Sequence, residues 1–113
     1  MALLTEELRT GLPALYATQA EEDPMVRAKF FTPWANWAWY VTEGEPVDDD
    51  FKFFGWVVEK EDRELGYFFL SELESVTGPF GLKIERDDEF VPCRLSEVKK
   101  QYGDMAAPTD DAS

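Results

Sequence analysis

The chain has 113 residues, 44% of them apolar and 15% aromatic, which suits one folded domain with a single core and excludes a disordered polypeptide. Its formal net charge of −13, from 24 acidic and 11 basic residues, repels phosphate backbones and argues against direct nucleic-acid binding. One cysteine and no histidine exclude an internal disulfide and every His-based catalytic triad, and no metal or cofactor is expected.

Read from the N-terminus, Thr5 precedes "EELRT" and Gly11 follows it, the signature of a short helix with an oxygen-bearing cap, acids in its first turn and a glycine stop. "LPALYATQAEEDP" has no clear period and reads as a surface loop ending in acids before Pro24. "MVRAKFF" alternates Val26, Ala28 and Phe30 against Arg27 and Lys29 and predicts one strand, with "TPWAN" as its turn. "NWAWYVTE" predicts a second strand, with Trp37, Trp39 and Val41 on one face and Tyr40 on the other. "GEPVDDD" reads as a polar connection, "FKFFGWVVE" as a third strand with a weak point at Gly55, "KEDRE" as a turn and "LGYFFL" as a fourth strand. "SELE", Ser71 to Glu74, has the form of a capping box. A further short strand is expected around Leu82 to Glu85, then a last helix capped by Ser96 and stopped at Gly103. Residues 1–103 thus make one α+β domain: an antiparallel meander of four to five strands with short flanking helices. Residues 104–113 read as a disordered acidic tail.

No apolar run reaches the roughly 18 residues of a membrane span, and the first ten residues carry two glutamates where a signal peptide carries bases, so a cytoplasmic protein without a membrane partner is expected. Its acids collect in the predicted connections. Residues 43 to 50 hold five of them and no base, and 59 to 64 hold four. Serines sit at predicted helix starts, no G-x-S-x-G elbow occurs, and "TGPFG" lacks the Lys-Ser/Thr of a phosphate loop. Asp48, Asp49 and Asp50 with Asp87, Asp88 and Glu89 would serve a carboxylate-dependent metal enzyme if they converged.

In order, the blocks "KFFTP", W-x-WY-x-TE, LGYF-x-L-x-ELE and "ERD" resemble those of a small single-domain bacterial family of unknown function, encoded on plasmids, integrative elements and phages. The resemblance runs from about residue 3 to residue 99. It implies no catalytic residues, and it implies a setting in which small acidic proteins inhibit host defence.

The resulting expectation is a non-enzymatic, DNA-mimic-like binding protein, monomeric or homodimeric, directed at the basic surface of a host nucleic-acid-binding protein or defence complex. Its candidate contact residues are Glu43, Glu45, Asp48, Asp49 and Asp50, then Glu59, Glu61, Asp62 and Glu64, with Trp34 and Tyr40 as exposed rings. The rivals are the carboxylate enzyme and a structural or homodimeric interaction module.

Overall fold

The computed structural model describes residues 3–103, so the predicted tail lies outside the described residues. In chain order it contains α1 (Glu6–Gly11), β1 (Met25–Val26), β2 (Ala28–Phe31), β3 (Ala38–Val47), β4 (Asp50–Glu59), β5 (Asp62–Phe69), α2 (Leu70–Ser75), a 3-10 turn (Pro79–Gly81), β6 (Glu85–Arg86), β7 (Cys93–Arg94) and α3 (Leu95–Gln101). The expected α+β fold is present. A five-stranded antiparallel sheet runs in the order β5-β4-β3-β2-β6, so β2 to β5 form the meander.

Three local expectations are corrected. The strand predicted over 25–31 breaks at Arg27, whose amide donates to the Val41 carbonyl (2.8 Å); β1 then leaves the sheet to pair with β7, a strand with no signal in the sequence. The polar connection 44–50 is strand almost throughout: β3 runs to Val47, β4 starts at Asp50, and a two-residue turn joins them. Likewise β5 begins at Asp62, leaving Lys60 and Glu61 as the second tight turn. Asp48 and Lys60 open these turns with left-handed φ of 54° and 57°, as tight hairpins require of a first loop residue.

Each sheet face has its own core. Phe30, Trp39, Val41, Phe51, Phe53 and Phe68 point to one face, covered by Leu3, α1, Leu73 of α2 and Ile84. Phe30, Phe51 and Phe53 are completely buried, each worth about 1.5–3 kcal/mol relative to exposure. Phe53 meets Phe30 edge-on at 5.5 Å and stacks on Phe68 at 5.4 Å. On the other face Ala38, Tyr40, Trp56 and Val58 lie under Leu95 and Val98 of α3. Trp37 packs against the first of these cores, and Trp34, in the β2–β3 turn, does too: an added Cβ on Gly78 would fall into its ring.

Thr5 caps α1 as predicted, its hydroxyl accepting from the Leu8 amide at 3.1 Å. The other helices are capped differently. Ser71 and Ser96 lie inside the first turns of α2 and α3 and donate, through both amide and hydroxyl, to the carboxylates of Asp50 and Asp23. Glu72, rather than Glu74, reaches back to the Phe69 amide at 2.8 Å. The Ser71 and Ser96 bonds hold Asp50 and Asp23 below the ordinary carboxylate pKa of 3.8. A depressed carboxylate pKa contributes stability that is present above pH 3.8 and lost as pH falls through the folded-state value. Tryptophan fluorescence should therefore report a loss of stability on acidification below about pH 4. The double variant Asp23→Asn/Asp50→Asn should be less stable at pH 7 and should show a shallower acid dependence; an unchanged acid limb would refute the assignment.

Candidate functional site

The hairpins separate the two candidate acid groups. β4 runs ten residues between its turns, so Asp48 and Asp49 lie roughly 30 Å from Glu61, and the groups form no single patch.

Within the first group most carboxylates already have internal work. A β-bulge sits between Val41 and Glu43: Val41 faces Gly55 but Glu43 faces Phe54, leaving Thr42 as the extra residue, its hydroxyl donating to the Phe54 carbonyl at 3.1 Å. The bulge resets the alternation and turns Glu43 onto the Tyr40 face. There it is 2% exposed and accepts from the Tyr16 amide (2.7 Å), the Thr18 amide (2.9 Å) and the Thr18 hydroxyl. Glu45 accepts from the Leu15 amide at 3.0 Å, and Asp50 holds α2. The expectation that Glu43 belongs to a solvated contact surface is thus corrected: it is the interior anchor of the loop between α1 and β1.

Tyr40 is corrected as well. It is 2% exposed, its hydroxyl lies 2.7 Å from that of Tyr102, and burial followed by this bond pushes its phenol pKa far up. Trp34 is half-buried against the core rather than free.

The second group remains outside. Register places Glu59 beside Asp62 and Glu64 beside Val57, so Glu59, Asp62 and Glu64 project from the face that bears Trp39 and Val57. With Glu72 of α2 they rim a groove of about 330 Å3 between β5 and α2, floored by Trp39, Val57, Gly66 and Phe68. Among the described residues no lysine or arginine lines it. Glu61 extends this acidic end from the hairpin turn.

A second cleft, of about 320 Å3, opens on the opposite face. Phe54, Leu65 and Tyr67 form its floor, the loop carrying Tyr16 forms one wall, and Lys99 of α3 lies opposite. Tyr16 is held at a left-handed φ of 72° and sits 6.2 Å from Tyr67, centroid to centroid, and the nearness of its side chain raises the Tyr67 phenol pKa. Lys52 covers the Tyr67 ring at 4.7 Å. Tyr16, Tyr67 and Leu65 are 59%, 46% and 50% exposed; Leu65 and Tyr67 lie on β5, the strand that carries the acids, and Tyr16 joins them from the loop. Leu65 and Tyr67 lie in the predicted strand "LGYFFL", but the sequence gives no sign that Tyr16, from a distant loop, joins them.

The acids of the enzyme alternative do not converge. Lys29 and Arg86 pair with Asp87 and Asp88, and among the described residues no group of three or more His, Cys, Asp and Glu side chains could hold a metal ion. Cys93 is half-buried, and burial raises its thiol pKa, away from thiolate reactivity. No helix among the described residues is long and apolar enough to cross a membrane.

Compared with known proteins, residues 3–107 match the family model described as "Protein of unknown function (DUF2958)". No curated protein and no solved structure matches.

Proposed function

The chain belongs to the DUF2958 family, and from that premise we propose that it acts as a small acidic binding protein, without an enzymatic activity of its own, that engages a basic surface on a partner protein. One observation carries this reading: Glu59, Asp62, Glu64 and Glu72 surround one apolar-floored groove whose lining, among the described residues, has no lysine or arginine to neutralise them. Such a field speeds encounter with a positive surface and selects against acidic partners. An apolar floor adds the contact area that charge alone lacks. In its fuller form the reading places the gene on a mobile element and the partner in a host defence or nucleic-acid-processing complex, where these carboxylates occupy the place of DNA phosphates. Asp48 and Asp49, at the far end of the sheet, are not part of this contact.

The test is capture of partners by tagged protein from host lysate at low salt, followed by direct binding measurements with the captured protein. Binding should weaken steeply as ionic strength rises and should compete with duplex DNA. The triple variant Glu59→Lys/Asp62→Lys/Glu64→Lys should lose affinity by more than about a hundredfold, since close charge pairs across interfaces couple by about 1.5 kcal/mol or more each. Asp48→Lys/Asp49→Lys should bind as wild type. Equal losses from both variants, or binding indifferent to salt, would refute the reading.

A further inference from the structure

We propose that β5 is a docking strand, whose free edge takes up an extended segment of the partner that is basic at alternate residues and apolar at those between. The proposal rests on the acidic-binding reading above and adds to it the form of the ligand.

Three observations converge on this edge. First, β5 ends the sheet order and is eight residues long, so its outer backbone groups have no strand neighbour among the described residues, and only at its end does the Glu72 carboxylate take the Phe69 amide. An exposed edge of this length is a template for strand addition. Second, the two sides of the strand differ in chemistry. Asp62 and Glu64 project to the groove, whereas Leu65 and Tyr67, with Tyr16 beside them, are exposed on the other face or turn toward it. A strand added about 4.8 Å away sends successive side chains to opposite faces, so lysines or arginines would meet the carboxylates and apolar residues the aromatic strip.

Third, Gly66 has no internal reason to be glycine. A Cβ built there meets nothing within 4 Å, whereas one built on its cross-strand partner Gly55 collides with backbone. Glycine weakens a strand interior, and where packing does not demand it, it marks close approach by another chain or ligand. Gly66 forms part of the groove floor opposite Glu72, Leu73 and Val76 of α2, and its missing side chain leaves room for a partner side chain to enter.

Charge selects the occupant. A second copy would bring a further formal charge of −13 to an edge that is already acidic, and a nucleic-acid strand would bring its phosphates to Asp62 and Glu64. A basic, alternating polypeptide meets neither obstacle.

The probe is a synthetic decapeptide alternating lysine with valine. It is compared with a block peptide of equal composition, its lysines first and valines last, and with the alternating peptide N-methylated at every second residue. Titrations into 15N-labelled protein at low salt should show the alternating peptide binding at least tenfold tighter than the block peptide. Amide shifts should concentrate on Asp62–Phe69, and binding should be lost on N-methylation in one of the two alternating registers. Gly66→Leu, checked for an unchanged thermal midpoint, should weaken the alternating peptide at least tenfold. Equal, salt-sensitive binding of both peptides, unaffected by N-methylation, would overturn strand addition and leave the acidic reading standing. No binding of either peptide at low salt would overturn both.

Discussion

Gly55→Ala should cost more folding stability than any other single methyl added to the sheet, about 4 kcal/mol or more. A Cβ at this position would lie 2.8 Å from the carbonyl carbon of Tyr40, closer still to its oxygen, and 3.1 Å from the Val41 Cα. These are backbone atoms of the neighbouring strand, fixed by the β3–β4 ladder, so no side-chain rotation relieves the clash. Strand separation would have to give way beside the bulge, in the most buried part of the sheet, where Tyr40 and Val41 are 2% and 0% exposed. Ordinary overpacking costs about 1–3 kcal/mol, and a collision with backbone belongs above about 4 kcal/mol. A domain of this size has roughly 5–15 kcal/mol in total. Gly66→Ala, directly across the ladder, should be neutral or slightly stabilising, because its Cβ enters open space. Urea denaturation of the two variants makes the comparison, and a Gly55→Ala protein within about 1 kcal/mol of wild type would show that the strands are not this close.

The contrast shows how far the sequence could be read. Alternation in "NWAWYVTE" and "FKFFGWVVE" located β3 and β4, because period-2 burial needs no information beyond neighbouring residues. Gly55 was visible as a weak point, but its cause, a carbonyl on the adjacent strand, is not local. The same distinction governs the helix starts. Thr5 caps α1 from three residues away, so its signal lay in the sequence, whereas Asp50 and Asp23 hold α2 and α3 from 21 and 73 residues away and gave none. "SELE" fits a capping box equally well in the sequence, and only the fold shows that Ser71 donates rather than caps. The break between β1 and β2, and β7 itself, gave no signal for a similar reason: two-residue strands carry no period, and the β1–β7 pairing joins segments nearly seventy residues apart.

For the candidate site the decisive feature was the bulge at Thr42. Read as a regular strand, "WYVTEGEP" places Glu43 with Trp39 and Val41 on a face whose end runs into an acidic turn. One extra residue moves it to the other face, into the interior, and divides the carboxylates into those that hold the fold and those that face outward. Acid content alone cannot make that division. Burial and hydrogen bonding do: they withdraw Glu43, Glu45 and Asp50 into the fold and leave Asp48 and Asp49 exposed at one end of the sheet and Glu59, Glu61, Asp62 and Glu64 at the other.

Glu43→Ala should therefore cost stability without being a binding mutation. Its carboxylate gathers two backbone amides and one hydroxyl from the loop between α1 and β1, and bonds to a charged acceptor contribute about 1.5–3 kcal/mol each where water is excluded. Water can reach part of the released loop, so the net loss should be about 3 kcal/mol. Glu43→Gln should recover little of it, since an amide nitrogen facing Tyr16 or Thr18 puts donor against donor. Thr18→Val, which removes the hydroxyl bond alone, should cost about 1 kcal/mol. Urea denaturation gives these differences, and amide exchange should show Tyr16 and Thr18 losing protection before the sheet does. The partner-binding measurement then separates structure from function: at temperatures where it is folded, Glu43→Gln should bind the captured partner as wild type does, while the Glu59/Asp62/Glu64 variant does not. If Glu43→Gln lost binding with its stability intact, the carboxylate would have to be a contact residue reached by opening the loop, and the outward group would no longer suffice as the site.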